Sequence, residues 1–345
     1  MKHRNLEKAV VLSLILSTGV YGSAWAADIE MGGKLWGELW NGYTEIQAGD
    51  NLVVTTDGVG IGYNGTVDVI DGNLTISSGG NGIESGYVEN AQVNIFANNV
   101  TITSEQNGIF TELKEKKESI VTIGSKDRKI ESLTITAGGQ GIDNKNGNVY
   151  IYGAENSEFN IHSLNRSGDD LNQAAINNSC DGEIIINGGS INLTTEKVDR
   201  YFELFPGFDY ITTFTGDGIT NDDGTTTLNS NKVTMNVTGS GIRNTGSGTV
   251  TLNTKGSNTI FARYTGTTTW VGYGVYSSGN DGTINVIASE TYDPNKGYST
   301  LNTQTGYNNV IYGQRGGIGS TTSGTKNIIA DNNNFIGGGF AVNTE

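Results

Sequence analysis

The chain has 345 residues, of which 51 are Gly, 2 are Pro and 1 is Cys; 17% are charged, 35% are hydrophobic and the net charge is −15. Gly at this level without a G-X-Y period excludes collagen, and recurrent β-branched residues with few charges exclude a disordered tail. One Cys excludes an internal disulfide and a cysteine-rich zinc site, and the acidic balance excludes a basic surface for nucleic acid.

The basic start Lys2, Arg4 and Lys8, the apolar run Ala9 to Leu16 and the small residues of Ser23-Ala24-Trp25-Ala26-Ala27 predict a secretory signal peptide over 1–26. The apolar run is too short to span a bilayer of ~30 Å. Once it is removed, His162 is the only histidine of the chain, so a histidine-rich metal site is excluded. Residues 27–45 lack any repeat and hold Leu35, Trp36, Leu39 and Trp40. They are expected to cap an open sheet end, which would otherwise be an unpaired edge.

From residue 46 to 345 one feature recurs, a Gly followed by Ile. It appears at Gly60-Ile61, Gly82-Ile83, Gly108-Ile109, Gly141-Ile142, Gly218-Ile219, Gly241-Ile242 and Gly317-Ile318, with Ala175-Ile176 and Gly274-Val275 in the same slot. The spacings are 22, 26, 33, 34, 43, 23, 33 and 43 residues, so the shortest describe the bare unit and the longer ones carry insertions. Within each unit lie short segments of period two, such as Thr66-Val67-Asp68-Val69 and Leu74-Thr75-Ile76, separated by turns rich in Asn, Gly and Asp. No stretch after residue 26 shows a sustained 3.6-residue period. Three short strands per unit predict an all-β fold, a single right-handed parallel β-solenoid (β-helix) over 46–345 with loop insertions. Nine slots at ~4.8 Å per coil give a length of ~45 Å. A β-sandwich is the alternative, but it does not predict the Gly-Ile slot.

Four insertions stand out. Glu112 to Glu118 is a mixed charge run expected at a solvated tip. Lys197 to Phe214 is the most aromatic stretch, with Tyr201, Phe202, Phe205, Phe208 and Tyr210. Phe261 to Tyr273 contains Trp270, and Tyr292 to Tyr312 is rich in tyrosine. Loops on a rigid scaffold carry recognition, and Tyr and Trp suit carbohydrate or protein contacts. Tyr201, Phe202, Phe205, Phe208, Tyr210 and Trp270 are therefore the candidate ligand-contact residues, against the alternative that they fold back onto the solenoid wall.

Catalytic and metal-binding patterns give little. Gly138-Gly139-Gln140-Gly141-Ile142-Asp143 matches the start of a calcium-binding nonapeptide but lacks the tandem copies that share each ion, so it is expected to be a corner and no cofactor or metal is predicted. Asp169-Asp170 and Asn221-Asp222-Asp223-Gly224 are the acidic pairs of interest and read as turn formers rather than as a general acid and base. His162 is expected on a strand, and Cys180 as a small buried residue.

The signal peptide ending at Ala26, together with Asp57-Gly58-Val59-Gly60-Ile61 and Gly239-Ser240-Gly241-Ile242-Arg243-Asn244, resembles the passenger region of a bacterial type V autotransporter in its adhesin-like β-helical form. The resemblance implies export through the periplasm and display at the cell surface or outer membrane. Its implied partners are a host or neighbouring-cell surface protein or glycan and an outer-membrane β-barrel translocator. Ile336 to Glu345 carries no such barrel, so a fragment of a longer protein is expected. The expected function is non-catalytic adhesion. The competing reading is a polysaccharide-binding or -cleaving β-helix enzyme, and a third is a tail-spike-like trimer.

Overall fold

The computed structural model describes residues 28–32, 43–46, 51–62, 65–86, 90–112, 119–166, 172–205, 208–263, 272–279, 281–289, 308–321 and 323–344. The signal peptide, Leu35, Trp36, Leu39, Trp40, the charge run 113–118, Asp169, Asp170 and Trp270 lie outside them. The described residues form strands and no helix. Nearly all pairings are parallel, each strand adding to the equivalent strand one coil away. The fold is a parallel β-solenoid with three strands per coil, as the period-two segments predict.

Each of the three sheets has its own column register. The Gly-Ile sheet stacks Ile61, Ile83, Ile109, Ile142, Ile176, Ile219, Ile242, Val275 and Ile318 as direct partners. All nine slots read from the sequence thus fall on one line. A tenth member, Val342, pairs with Ile318. Ala341-Val342 departs from Gly-Ile at both positions, which hides it from the motif. The second sheet runs through Gly65–Val69, Ala91–Phe96, Ser119–Ile123 and onward to Thr325–Ala330, and the third through Asn51–Thr56, Asn73–Ser78, Asn99–Ser104 and onward to Asn333–Thr344. Within the segment expected to cap the end, Asp28–Gly32 pairs with 51–55 and Tyr43–Ile46 with 66–69, both in parallel. Both are rungs of the solenoid.

Parallel stacking puts like over like, so one narrow apolar core runs along the axis. Ile83, Ile109, Ile142, Val121, Ile123, Leu133 and Ile135 are among its fully buried members, each worth about 1.5–3 kcal/mol of transfer free energy. The Gly of the slot has a specific steric cause. A methyl on Gly141 would overlap Ile161 Cγ2 of the third sheet and sit 2.6 Å from the Ala175 carbonyl oxygen. Gly82, Gly108 and Gly241 face Ile102, Ile135 and Ile260 in the same way. Ala175 occupies its slot in the coil where the third-sheet partner of Ile161 is Leu193, which lacks the branch at Cβ.

The core is also lined by a polar column two residues after seven of the slots. Ser85, Thr111, Asn144, Asn178, Asn221, Asn244 and Ser277 are all fully buried and are register partners in succession. Asn144 Nδ2 donates to Asn178 Oδ1 at 2.8 Å, Asn178 to Asn221 at 3.2 Å and Asn221 to Asn244 at 3.3 Å. The same amides hold the turns that follow: Asn144 bonds the Gly147 carbonyl at 2.8 Å, Asn178 that of Gly182 at 3.0 Å and Asn244 that of Gly248 at 2.7 Å. Buried corners leave carbonyls that need donors, and a stacked amide supplies them.

Candidate functional site

Hairpins of antiparallel strands do not belong to the solenoid repeat, yet one interrupts it. Val198–Phe205 pairs antiparallel with the first half of Phe208–Asn221, placing Tyr201 opposite Ile211, Phe202 opposite Tyr210 and Phe205 opposite Phe208. The second half of that strand, from Thr215, returns to the Gly-Ile sheet beside Asn172–Ser179. The aromatic insertion is therefore a two-stranded ribbon anchored in the coil at both ends. It brings Tyr201, Phe202, Phe205, Phe208 and Tyr210 together in sequence register; Trp270 lies outside the described residues.

Polar contacts fix the base of this ribbon. Thr213 Oγ1 donates to Asp199 Oδ1 at 2.7 Å, and Lys197 Nζ stands 3.5 Å from the same oxygen. The Thr213 hydroxyl, with Lys197 adding attraction, holds the Asp199 carboxyl below the ordinary aspartate value. Thr195 Oγ1 donates to the Gly216 carbonyl at 2.7 Å and Asn165 Nδ2 to that of Glu196. His162 Nε2 lies 3.5 Å from Glu196 Oε1, and Arg166 3.3 Å from Oε2. His162 thus sits half-buried on a third-sheet strand as a neighbour of the ribbon base, with Glu196 on its outer side.

The strand leaving the ribbon carries Asp217, and the outer side of the Gly-Ile sheet is built around it. Asp217 has a side chain only 2% exposed and faces Arg243 Nε at 2.6 Å. Its oxygens also accept from the Ser240 N–H at 2.6 Å and the Thr220 hydroxyl at 3.1 Å. Arg243 stacks in register on Tyr276, whose ring packs on Tyr273 with centroids 5.1 Å apart.

The other sequence candidates take structural places. Asn221 belongs to the buried amide column, Asp222 Oδ1 accepts from Thr245 at 3.3 Å, and Asp223 Oδ1 accepts from the Ser247 N–H at 2.8 Å and its hydroxyl at 2.9 Å. These bonds, the backbone one first, lower the Asp223 carboxyl below its ordinary value. A general acid needs the opposite shift. Because the folded-state value is depressed, the bond supports the corner above the unfolded value and is lost as pH falls through the folded one. An NMR titration is expected to place the Asp223 midpoint below that of an unfolded aspartate, and Ser247→Ala to raise it.

Asp143, from the calcium-like pattern, is 2% exposed and spends its oxygens on Asn107 at 3.3 Å and Asn177 at 2.8 Å. No cluster of metal-ligating side chains occurs among the described residues. Cys180, expected to be buried, is instead exposed at a corner with φ of +64°. The turn after Asn178 must bend through the left-handed region, which lifts this side chain off the core.

Comparisons of the chain with family models, curated proteins and solved structures give no match.

Proposed function

We propose that the chain is a non-catalytic, exported β-solenoid passenger that mediates adhesion at a cell surface. The antiparallel ribbon over 198–214 is its contact element, and a protein or glycan on a host or neighbouring cell is its partner. The observation carrying this reading is the ribbon itself: an aromatic insertion paired on its own and rooted in a rigid stack of rungs. A paired two-stranded ribbon is ordered before it meets a partner, which lowers the ordering cost of binding. Export is read from the signal-like residues 1–26, and passage through an outer-membrane β-barrel from the resemblance to autotransporter passengers. The lone Cys suits such a route, since no disulfide loop has to be threaded.

The test replaces residues 199–213 by a short Gly-Ser linker in the full chain. Adhesion of beads coated with the protein to a panel of cells and glycans is expected to fall at least tenfold. The unfolding midpoint should hardly move, because the ribbon pairs with itself and the solenoid strands on either side keep their own partners. Undiminished adhesion would remove the ribbon from the function.

A further inference from the structure

We propose that a shallow groove on the outer face of the Gly-Ile sheet binds the carboxylate of a single acidic sugar residue. It is lined by Arg243, Tyr276, Ser278 and Thr321 and has a volume of about 310 Å³, at the lower end of the range for small-ligand sites and about the size of one or two sugar rings. This deepens the adhesion reading and rests on it for its biological meaning.

The geometry of Arg243 carries the argument. Asp217, almost fully buried and held by Ser240 and Thr220, takes the Nε side of the guanidinium at 2.6 Å. That ion pair anchors the inner side of the group. The two terminal nitrogens of Arg243 have no hydrogen-bond partner among the described residues, while the side chain keeps 19% of its surface open. A guanidinium held from behind presents its remaining fork to a planar carboxylate, which accepts two parallel N–H···O bonds.

The other described lining residues, Tyr276, Ser278 and Thr321, each carry a hydroxyl. Tyr276 OH lies 3.4 Å from Thr321 Oγ1, and its ring is immobilised against Tyr273. The Ser278 hydroxyl has no partner among the described residues, although its backbone N–H bonds the Asn244 carbonyl at 2.9 Å. Hydroxyls beside a fixed guanidinium complement the ring hydroxyls beside a uronic carboxylate. The net charge of −15 narrows the class further. A polyanion is repelled by the molecule as a whole, whereas one carboxylate meets one local cation. The ligand is therefore a single acidic sugar on an otherwise neutral glycan.

The experiment titrates the full chain after signal removal with sodium D-glucuronate, D-glucose and inorganic phosphate, read on the amide and Arg side-chain resonances by NMR. Saturable shifts are expected with glucuronate at a Kd on the order of 1 mM. Glucose should give none, and phosphate should bind at least tenfold more weakly. Arg243→Lys keeps the charge but loses the fork and is expected to weaken glucuronate at least tenfold. Arg243→Gln would leave Asp217 buried beside a neutral group, so Ser278→Trp, which fills the groove and leaves the ion pair alone, is the second variant and should abolish binding.

Glucose or phosphate binding as tightly as glucuronate would overturn the proposal. So would glucuronate shifts unchanged in both variants, or the absence of any saturable shift. Glucuronate binding in a chain that adheres to no cell or glycan would uphold the groove and remove adhesion. Adhesion that survives Arg243→Lys, in a protein that binds no glucuronate, would do the reverse.

Discussion

Replacing Asn178 by Leu is expected to lower the unfolding free energy by about 3–4 kcal/mol. The Asn178 side chain donates to the Gly182 carbonyl at 3.0 Å, to Asn221 Oδ1 at 3.2 Å and to the Thr225 carbonyl at 3.1 Å. It accepts from Asn144 at 2.8 Å. Leu branches at the same atom but is larger, so no cavity opens: the loss comes from buried groups left without partners on two neighbouring coils, with overpacking added. Urea unfolding followed by circular dichroism measures it. The contrast that isolates burial as the cause is Asn73→Ala. Asn73 also belongs to a stacked row, with bonds of 2.7 Å to Asn51 and from Asn99, but it is exposed. Water replaces those bonds, and the expected change is within about 0.5 kcal/mol. Equal effects at the two sites would show that stacking, not burial, gives the amides their worth.

Gly141→Ala should destabilise by about 1–3 kcal/mol, an overpacking cost. The added methyl overlaps Ile161 Cγ2 and lies 2.6 Å from the Ala175 carbonyl oxygen. The coil at Ala175 shows how the clash is avoided, since Leu193 stands there in register with Ile161. The double variant Gly141→Ala with Ile161→Leu is therefore expected to recover part of the loss. The thermal midpoints of the two single variants and the double variant form the cycle that decides it. If Ile161→Leu adds its own cost in full, the branch at Cβ is not the reason for Gly in the slot.

The Gly-Ile line was legible in the sequence because its cause is local and repeats: the same steric conflict recurs at Gly60, Gly82, Gly108, Gly141, Gly241 and Gly274. Val342 escaped because Ala341-Val342 departs from Gly-Ile at both positions, and Asp28–Gly32 and Tyr43–Ile46 escaped because no Gly-Ile pair stands between them in the sequence. The amides of Asn144, Asn178, Asn221 and Asn244 were visible two residues after each slot, yet turn chemistry alone explains Asn at corners. Only the register shows that they meet one another inside. The aromatic insertion was legible as an insertion. That it pairs with itself as a ribbon depends on period-two alternation on both sides of Pro206-Gly207, which the crowding of aromatics obscured. The Asp217–Arg243 contact was beyond reach from sequence, since a 26-residue separation becomes adjacency only once the register is known. Cys180 was misjudged because a small thiol beside buried residues suggests burial, while the corner backbone turns it outward.

Uneven insertion lengths combined with an unbroken register have a consequence for how the molecule comes to be. Coils as short as 22 residues and as long as 43 dock on the same line, so each finished coil acts as a template, indifferent to how much chain the next one spends between docking points. Order then grows as a zipper, with a slow first pair of coils and quick additions afterwards, and stability adds up between nearest neighbours. Damage at Asn178 would not unravel everything at once. It would split the column into two segments that melt apart, and amide exchange would find the boundary at the coil where the row of amides is cut.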